Sequence, residues 1–334
     1  PPPRLQVREL ALRPAIGEAE ASHWGIQDGF EGGRFLKTDD GLYHCFPSER
    51  MRRGTGQGNG TLPSDLVMQI GHWASATARP GSWYRVGTLV RSTGLYNASG
   101  VHSSTWAGMP VYDDDTRRWH LFYVGYRSAP MNGSHAYVQF GGVIVHAVSS
   151  VPGPGGLGGP YEETGVVLNE TMPGTNLSWE GDQGDDAFFP YRLRNGEWYG
   201  FFGSALSRKK TGGWNADWHV GLATAPRLAG PWAKRPGNPL RFDGAVENPV
   251  VTLTQDGEYY MAVYYPFAGF VGFTWSRDGV TWSRGVHLNV TPHVDPPCGG
   301  TPVTALGLVP EPQLGPGIFS LLFTGRGASA RSVE

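Results

Sequence analysis

Charge is scarce in this chain of 334 residues, and neither sign dominates. Lys and Arg number 27, Asp and Glu number 29, and the formal net charge is −2. No basic run or patch is present, which argues against a nucleic-acid partner. Long apolar runs are also lacking, because the longest, around Met261 to Phe273, is broken by Pro and Gly and is too short to span a bilayer. We therefore expect neither nucleic-acid binding nor a membrane span.

Asparagine is infrequent, but its positions are informative. Six of the ten asparagines stand in N-x-Ser/Thr sequons: Asn59, Asn97, Asn132, Asn169, Asn176 and Asn289. This enrichment predicts a eukaryotic glycoprotein that is secreted or resides in the secretory lumen, with these asparagines on exposed loops. Coincidence is the alternative, because turn-rich loops favour Asn, Ser and Thr in any case.

Cysteine is rarer still, with only Cys45 and Cys298 in the chain. An even pair of cysteines in a secreted protein favours a disulfide, and two free buried thiols are the alternative. The two positions lie 253 residues apart, so a disulfide needs a fold that brings the ends of the chain together.

Windows that fit three turns of amphipathic helix are few. Glycine (50) and proline (27) instead punctuate short apolar runs from end to end. This pattern predicts an all-β protein with many tight turns.

A repeat runs through the chain, in which a carboxylate or small residue precedes an apolar strand, a polar turn and an aromatic strand. Four copies are clear: EGGRFLKTDDGLYHCF from Glu31, AGMPVYDDDTRRWHLFYVGY from Ala107, DAFFPYRLRNGEWYGFFGS from Asp186 and ENPVVTLTQDGEYYMAVYY from Glu247. A weaker fifth copy begins at Val303, and a second hairpin follows each of the first four. Five units of four strands are typical of a β-propeller.

We therefore predict a five-bladed β-propeller with four antiparallel strands per blade. It forms one domain over residues 1–334, with flexible ends at 1–4 and 327–334. The fifth unit lacks an outer hairpin, so an N-terminal strand such as Leu5 to Leu12 is expected to complete it and close the ring. Closure would also bring Cys45 near Cys298. A β-sandwich or two smaller β domains is the alternative, but neither explains five hairpins of the same internal order.

Three acids share one place in the repeat. Glu31, Asp186 and Glu247 each stand ten residues before the glycine of their hairpin turn. In the second unit this neighbourhood holds Trp106 and no acid. A carboxylate at the mouth of an apolar inner strand is costly to bury unless it is paired or used. The register predicts an acid cluster around the propeller axis, in which like charges raise one another's pKa.

Clustered acids suit the hydrolysis of a glycosidic bond. One acid protonates the leaving oxygen, and another activates water or attacks the sugar. Trp24 and Trp106 lie near predicted strand mouths and are candidates for stacking on a sugar ring, although packing between blades is the commoner role of a tryptophan. Asp185 alternates with Asp186 along its strand, so its side chain is expected on the opposite face in a structural role.

The sequence resembles the five-bladed propeller glycoside hydrolases of family 43 and their relatives, the arabinanase, xylosidase and invertase superfamily. The resemblance rests on DDAFFPY and VENPVV, whose acids Asp186 and Glu247 are 61 residues apart, and on ATAPRLAGPW and SRDGVTW. It covers roughly residues 24–325. These motifs are short, and their order and spacing are more specific than any one of them.

The resemblance implies roles for individual residues. Glu247 corresponds to the general acid, and Asp186 to the residue that orients it and raises its pKa. The base is expected in the first unit, where the family has an Asp-Pro pair and this chain has WGIQDGFEGGRF. The repeat register points to Glu31 and the residue type to Asp28. Arg326 is a candidate for binding a sugar hydroxyl.

The resemblance implies a secreted enzyme that cleaves a poly- or oligosaccharide in the central pit, with inversion as in most family members. We expect a monomer that needs no cofactor, although a structural metal ion such as calcium on the axis is compatible with the family. The main alternative is a non-catalytic carbohydrate-binding propeller, whose acids would be spread apart or tied up in salt bridges. A sialidase-like hydrolase and a protein-interaction propeller are weaker alternatives.

Overall fold

The computed structural model describes residues 3–7, 14–52, 66–94, 100–130, 137–206, 218–242, 244–266, 270–288, 290 and 302–325. Within these ranges β-strands dominate, as the turn-rich composition predicted. The strands form five antiparallel sheets that follow one another along the chain.

The first sheet is a blade whose two inner strands are both broken. A short helix α1 (Glu18–His23) precedes its strands, which are β1 (Ile26–Glu31), β2 (Phe35–Lys37), β3 (Tyr43–Cys45), β4 (Ser48–Arg52), β5 (Leu66–Ser75) and β6 (Trp83–Arg91). β1 pairs with β4 and β2 with β3, both β3 and β4 pair with β5, and β6 covers the outer edge of β5. Six strands thus make four layers.

Blades 2 to 4 are four-stranded antiparallel meanders with neighbours in chain order. Blade 2 contains β7 (Ser104–Asp113), β8 (Arg118–Pro130), β9 (Tyr137–Ser149) and β10 (Tyr161–Leu168). Blade 3 contains β11 (Asp186–Arg192), β12 (Trp198–Ala205), β13 (Trp218–Ala225) and β14 (Ala233–Lys234). Blade 4 contains β15 (Glu247–Leu253), β16 (Tyr260–Tyr265), β17 (Val271–Ser276) and β18 (Val286–Leu288).

The fifth sheet is smaller than predicted. It contains two strands, β19 (Pro302–Pro310) and β20 (Phe319–Gly325). Two 3₁₀ turns, Pro154–Gly158 and Pro312–Leu314, complete the regular structure of the described residues. The prediction of five four-stranded blades is therefore wrong for the described part of the chain, which has four blades and a two-stranded fifth sheet.

The expected closing strand is not formed by the described N-terminal residues. Residues 3–7 have no strand, although Leu5 and Val7 pack against the main core, and residues 8–13 lie outside the described ranges. Apolar side chains thus hold this segment without the backbone pairing that a fourth layer requires, and closure of the ring stays a prediction.

The buried apolar side chains of the described residues form three clusters. The largest apolar cluster runs through blades 2 to 4 and into the fifth sheet, a second lies between blades 1 and 2, and a third joins blade 1 and α1 to β19. The inner strands β11 and β15, which carry Asp186 and Glu247, each contribute adjacent buried residues to the largest cluster and are therefore packed on both faces. None of the described helices has the length and apolar character to cross a membrane.

The hairpin turns follow the predicted chemistry. In blade 4 the Asp256 carboxylate accepts from the hydroxyl of Thr254 and the N–H of Glu258. Gly257 then takes a left-handed φ of 70°, which a residue with a side chain rarely adopts. The turn thereby fixes the register of β15 against β16, and with it the position of Glu247.

Candidate active site

Each of the first four inner strands is interrupted at the same place. One extra residue separates the pairs on either side of the interruption, which is a β-bulge. The residue at this point has a left-handed backbone in every blade: Gly32 (φ 58°), Ala107 (φ 51°), Ala187 (φ 46°) and Asn248 (φ 53°). A left-handed non-glycine residue costs about 1–2 kcal/mol, and such strain clusters at functional sites.

The residues just before these four positions are Glu31, Trp106, Asp186 and Glu247. They are the set that the repeat register placed at equivalent positions. The bulge turns each of these side chains out of the regular alternation of its strand, so one backbone device presents them in four blades.

Asp186 is buried beside a tyrosine of the neighbouring blade. The hydroxyl of Tyr126, on β8, hydrogen-bonds to the Asp186 carboxylate and accepts a hydrogen bond of 2.8 Å from the Gln183 amide. Burial raises the pKa of Asp186 to about 6, against the opposing effects of the Tyr126 hydrogen bond and the N–H of Ala187. A carboxyl group with this pKa changes protonation within the working range of many hydrolases.

Glu247 lies on the next inner strand and is only 8% exposed. Its charge acts on the same hydroxyl: burial, the charge of Asp186 and the charge of Glu247 all raise the pKa of Tyr126. The strands β11 and β15 that carry the two acids are in contact. The charges of Asp186 and Glu247 therefore both act on one phenol group.

Glu31 has a different environment from the other two acids. It forms an ion pair with Arg50, whose guanidinium lies 5.6 Å from the centre of the Trp106 ring. The Ser48 hydroxyl, opposite Glu31 in the sheet, accepts a 2.8 Å hydrogen bond from the N–H of Ala107. These contacts join the inner strands of blades 1 and 2. The non-catalytic carbohydrate-binding alternative predicted acids that are spread apart or tied up in salt bridges. Glu31 has such a salt bridge.

The two candidate stacking residues are placed differently. Trp106 is partly buried on its inner strand, and its indole N–H donates to the Ser104 hydroxyl at 2.8 Å. Trp24 follows α1, is 45% exposed, and lies 5.5 Å from the guanidinium of Arg85, a residue of the outer strand β6. Only Trp106 therefore belongs to the ring of inner-strand positions.

A cation lies among the inner strands. Arg34, between β1 and β2, donates to the carbonyl of Pro110 in blade 2 and stacks 5.1 Å from the ring centre of Phe189 in blade 3. Burial lowers the pKa of its guanidinium to about 10, so the group stays charged at neutral pH. Among the described residues no carboxylate pairs with Arg34. It thus reaches across the channel from blade 1 to blades 2 and 3.

The axial metal ion that the family resemblance allows stays an expectation. In the described ranges no three His, Cys, Asp or Glu side chains lie close enough together to hold a metal. Arg34 also brings a positive charge to the inner strands, where it repels a second cation.

Asp185 is structural, as its position on the strand predicted. Its carboxylate is fully buried and accepts from the Lys234 ammonium at 2.8 Å, and Lys234 also pairs with Glu180. Burial raises the pKa of Asp185 to about 7, against the opposing effect of Lys234. This cluster anchors the loop that leads into Asp186.

The predicted disulfide finds no support. Cys45 is a free thiol, fully buried between Phe35, Trp73 and other apolar residues of the cluster between blade 1 and β19, and burial raises its pKa well above its ordinary value. Cys298 lies outside the described residues.

Several other predicted residues cannot be placed. The described residues do not include Arg326 or the side chain of Asp28. They also do not include four of the sequon asparagines, which are Asn59, Asn97, Asn132 and Asn289. Of the remaining two, Asn176 is exposed and Asn169 is half-buried. The side-chain Oδ1 of Asn176 accepts from the backbone N–H of Ser178, and that of Asn169 accepts from the backbone N–H of Thr171.

Sequence reasoning missed the residues that connect the acids. Tyr126 and Gln183 carried no signal, because one belongs to an aromatic strand and the other to a polar loop. Arg50 lies on β4, which pairs with the inner strand β1, whereas the repeat register compared only residues of the inner strands. Arg34 could have been found, since it is a lone charge between Gly33 and the apolar strand β2.

No family model matches the sequence. A search of curated proteins also found no match. The model is similar to solved structures that cover most of the chain. A family 117 glycoside hydrolase of the marine bacterium Zobellia galactanivorans is 15% identical, with a TM-score of 0.55 over 84% of this chain and 74% of that one.

Two further solved structures are similar to this chain in fold. An endo-arabinase of Bacteroides thetaiotaomicron is 11% identical, with a TM-score of 0.50 over 89% of this chain and 94% of that one. A glycoside hydrolase family 43 protein of Bacillus licheniformis is 13% identical, with a TM-score of 0.50 over 90% and 70%. The chain has the propeller fold of these glycoside hydrolases. At such identities the likeness establishes the fold, and activity has to be argued from the site.

Proposed function

We propose that this protein is a glycoside hydrolase that cleaves a glycosidic bond of an oligo- or polysaccharide at the mouth of the inner strands. The observation that carries the proposal is the placement of Asp186 and Glu247, on adjacent inner strands, around the hydroxyl of Tyr126. Two buried acids whose charges act on one hydroxyl are suited to divide the roles of acid and modulator. The fold shared with glycoside hydrolases adds support.

In this proposal Glu247 is the general acid. It is nearly buried at the first residue of its strand, where it can protonate a departing glycosidic oxygen. Asp186 is the modulator: when ionised, its charge keeps the proton on Glu247. Tyr126 holds the Asp186 carboxylate in place and neither gains nor loses its own proton, because its pKa is raised well above the ordinary value.

The base comes from blade 1, and Glu31 and Asp28 are both candidates. Arg50 forms an ion pair with Glu31, and its contact with Trp106 holds the pair beside the second inner strand. A carboxylate that is already paired with a guanidinium is less available to a water molecule, which leaves a role for Asp28. With a water molecule between base and sugar, the reaction inverts the anomeric centre.

A non-catalytic carbohydrate-binding propeller is the second candidate. The ion pair of Glu31 with Arg50 favours it, because a carboxylate held by a guanidinium is already satisfied. This alternative gives Asp186 and Glu247 hydrogen-bonding roles toward sugar hydroxyls and requires no turnover.

The two candidates are separated by a substrate screen. We expect the purified protein to release chromophore from at least one of the aryl arabinosides, xylosides, galactosides and fucosides, and NMR of the first-formed sugar to show an inverted anomer. Binding of a sugar without any turnover would favour the second candidate. A retained anomer would leave a glycosidase but contradict the role of Glu31 or Asp28 as a base.

We also propose that the protein is a secretory glycoprotein, on the strength of its sequons. Asn176 is exposed and therefore accessible to modification. Mass spectrometry of the protein expressed in a eukaryotic secretory host should find glycan on Asn176. An unmodified Asn176 peptide would contradict the proposal.

A further inference from the structure

A cavity of about 370 Å³ opens between blades 1 and 2. Its walls come from the outer strand β6, from the strands β8 to β10, and from the residues that lead into β7. None of the residues of the candidate active site lines it. Its volume is that of a small-molecule pocket. The cavity is thus a second concave site on this chain, separate from the mouth of the inner strands.

One wall of the cavity is apolar and rigid. Leu89, Val90 and Tyr161 belong to the edge of the apolar cluster between blades 1 and 2. The Tyr161 hydroxyl donates to the carbonyl of Leu157 at 2.8 Å, which fixes the plane of its ring. A fixed aromatic ring beside branched side chains offers a surface for the apolar face of a small ring.

Glu163, two residues beyond Tyr161 on β10, brings an oriented carboxylate to the cavity. The buried Tyr123 hydroxyl donates to Glu163 Oε1, and His102 Nε2 lies 3.0 Å from the same oxygen. Burial and the neighbouring carboxylate raise the pKa of Tyr123, so the hydroxyl keeps its proton as a donor. Among the described residues no hydrogen bond reaches the other oxygen, Oε2. Glu163 therefore presents a held acceptor to the cavity.

Arg91 supplies hydrogen-bond donors to the cavity. It is exposed at the end of β6, lines the cavity, and forms no ion pair within the described part of the chain. The charge of Arg91 balances that of Glu163, so the cavity as a whole suits an uncharged ligand. Planar groups that donate and accept in pairs, set against an aromatic wall, match a ring bearing adjacent hydroxyls.

We propose that this cavity is a second saccharide-binding site, which holds one neutral sugar unit against Tyr161, with Glu163 and Arg91 as its polar contacts. The choice of a saccharide rests on the proposed function, and the cavity itself does not. A chain that engages this site while another part reaches the inner strands is held at the enzyme by two contacts, which raises its effective concentration.

The experiment measures binding on protein carrying Glu247→Gln, which removes turnover and leaves the cavity untouched. Titrations use the methyl glycosides of arabinose, xylose, galactose and fucose, with a methyl glucuronide as the charged comparison. We expect at least one neutral glycoside to occupy two classes of site. Adding Glu163→Gln should weaken one class about tenfold, since a hydrogen bond to a charged group is lost.

The matched control is Glu162→Gln, because Glu162 is the neighbouring acid on β10 and does not line the cavity. We expect it to leave both classes of site unchanged. Tyr161→Ala should weaken the same class as Glu163→Gln, and the melting temperatures of all variants show whether they are folded. A single class of site, equal effects of the two Glu variants, or tighter binding of the glucuronide would overturn the proposal.

This outcome is independent of the test of catalysis. If the wild-type protein turns over no glycoside but two classes of saccharide site are found, the proposed function fails and the second site stands. If turnover is found and Glu163→Gln alters no binding, the reverse holds.

Discussion

The hydroxyl of Tyr126 on blade 2 is bound to the carboxylate of Asp186 on blade 3, and the charge of Glu247 on blade 4 acts on the same hydroxyl. Three consecutive blades thus meet at one phenol group. This relationship turns two acids at equivalent sequence positions into one coupled site. It also makes Tyr126 the residue whose removal should disturb both acids at once.

Tyr126→Phe should therefore lower the catalytic rate without unfolding the protein. The Asp186 carboxylate loses its donor, so its pKa rises above about 6, and the acid limb of the rate profile moves to higher pH. A lost hydrogen bond to a charged group corresponds to a fall in kcat of about tenfold or more. The measurement is kcat against pH for the variant and the wild type.

Tyr112→Phe is the control for that variant, because Tyr112 is a partly buried tyrosine of the inner strand of blade 2 and forms no hydrogen bond within the described residues. We expect its rate profile to match that of the wild type. If Tyr126→Phe leaves the acid limb where it is, the hydroxyl does not tune Asp186.

The base in blade 1 is identified by comparing two isosteric variants. We predict that Glu31→Gln lowers kcat by at least about a hundredfold, the usual contribution of general base catalysis, while Asp28→Asn has a smaller effect. If the order is reversed, Asp28 is the base and the pair of Glu31 with Arg50 is structural. Equal, small effects of both variants would contradict a base in this blade.

Two buried histidine pairs make the protein sensitive to acid. His72 lies 2.9 Å from His44, and His146 lies 2.8 Å from His120, with contacts between ring nitrogens. Burial, followed by the partner histidine, lowers the pKa of His72 and of His146 to about 3. The unfolded chain binds these protons near pH 6.5. Stability from each pair is therefore complete above that pH and is lost as the pH falls toward 3.

His146→Gln isolates this effect. Its loss of stability between pH 7.5 and pH 5 should be about 2 kcal/mol smaller than that of the wild type, because one neutral buried imidazole is gone. Urea denaturation at the two pH values measures the difference. The exposed His287 provides the control, since His287→Gln should leave the pH dependence unchanged. An unchanged pH dependence in His146→Gln would contradict the assignment.

The buried cluster around Lys234 should be a major contributor to stability. Lys234→Met leaves the carboxylates of Asp185 and Glu180 buried without their cation, at a cost of about 3–5 kcal/mol in the free energy of unfolding. The comparison is Lys37→Met, which breaks the partly exposed pair of Lys37 with Glu311 and should cost about 1 kcal/mol or less. Equal losses of unfolding free energy in the two variants would contradict a larger contribution from the buried cluster.

The repeat register predicted the equivalence of Glu31, Asp186 and Glu247 because hairpin turns and strand pairing are local. An Asp-Gly turn in blades 1 and 4 and an Asn-Gly turn in blade 3 fix where the inner strand ends, and counting back from the glycine gives the residue at the strand mouth. The structure adds that a bulge with a left-handed residue follows each of these positions. Among the four left-handed residues, Gly32 and Asn248 belong to types that favour such a backbone, whereas Ala107 and Ala187 do not.

Contacts between blades could not be predicted in the same way. Tyr126 meets Asp186 only because two blades pack at a particular angle, and its strand holds other aromatic residues that face the core. Arg50 reaches Glu31 between strands β4 and β1, whose pairing is irregular between Ile26 and Phe30. Completion of the fifth blade depends on a contact of the same kind: residues 3–7 pack against the core without forming a strand, and residues 8–13 lie outside the described ranges.

The role of Glu247 as the general acid is the central claim, and its test is the dependence of hydrolysis on the leaving group. For Glu247→Gln we predict that kcat/KM falls at least about a hundredfold with a phenyl glycoside, which needs protonation, and much less with a dinitrophenyl glycoside, which does not. The exposed Glu258, in the turn of the same hairpin, provides the control as Glu258→Gln. Equal losses with both leaving groups, or full activity of Glu247→Gln, would contradict the account.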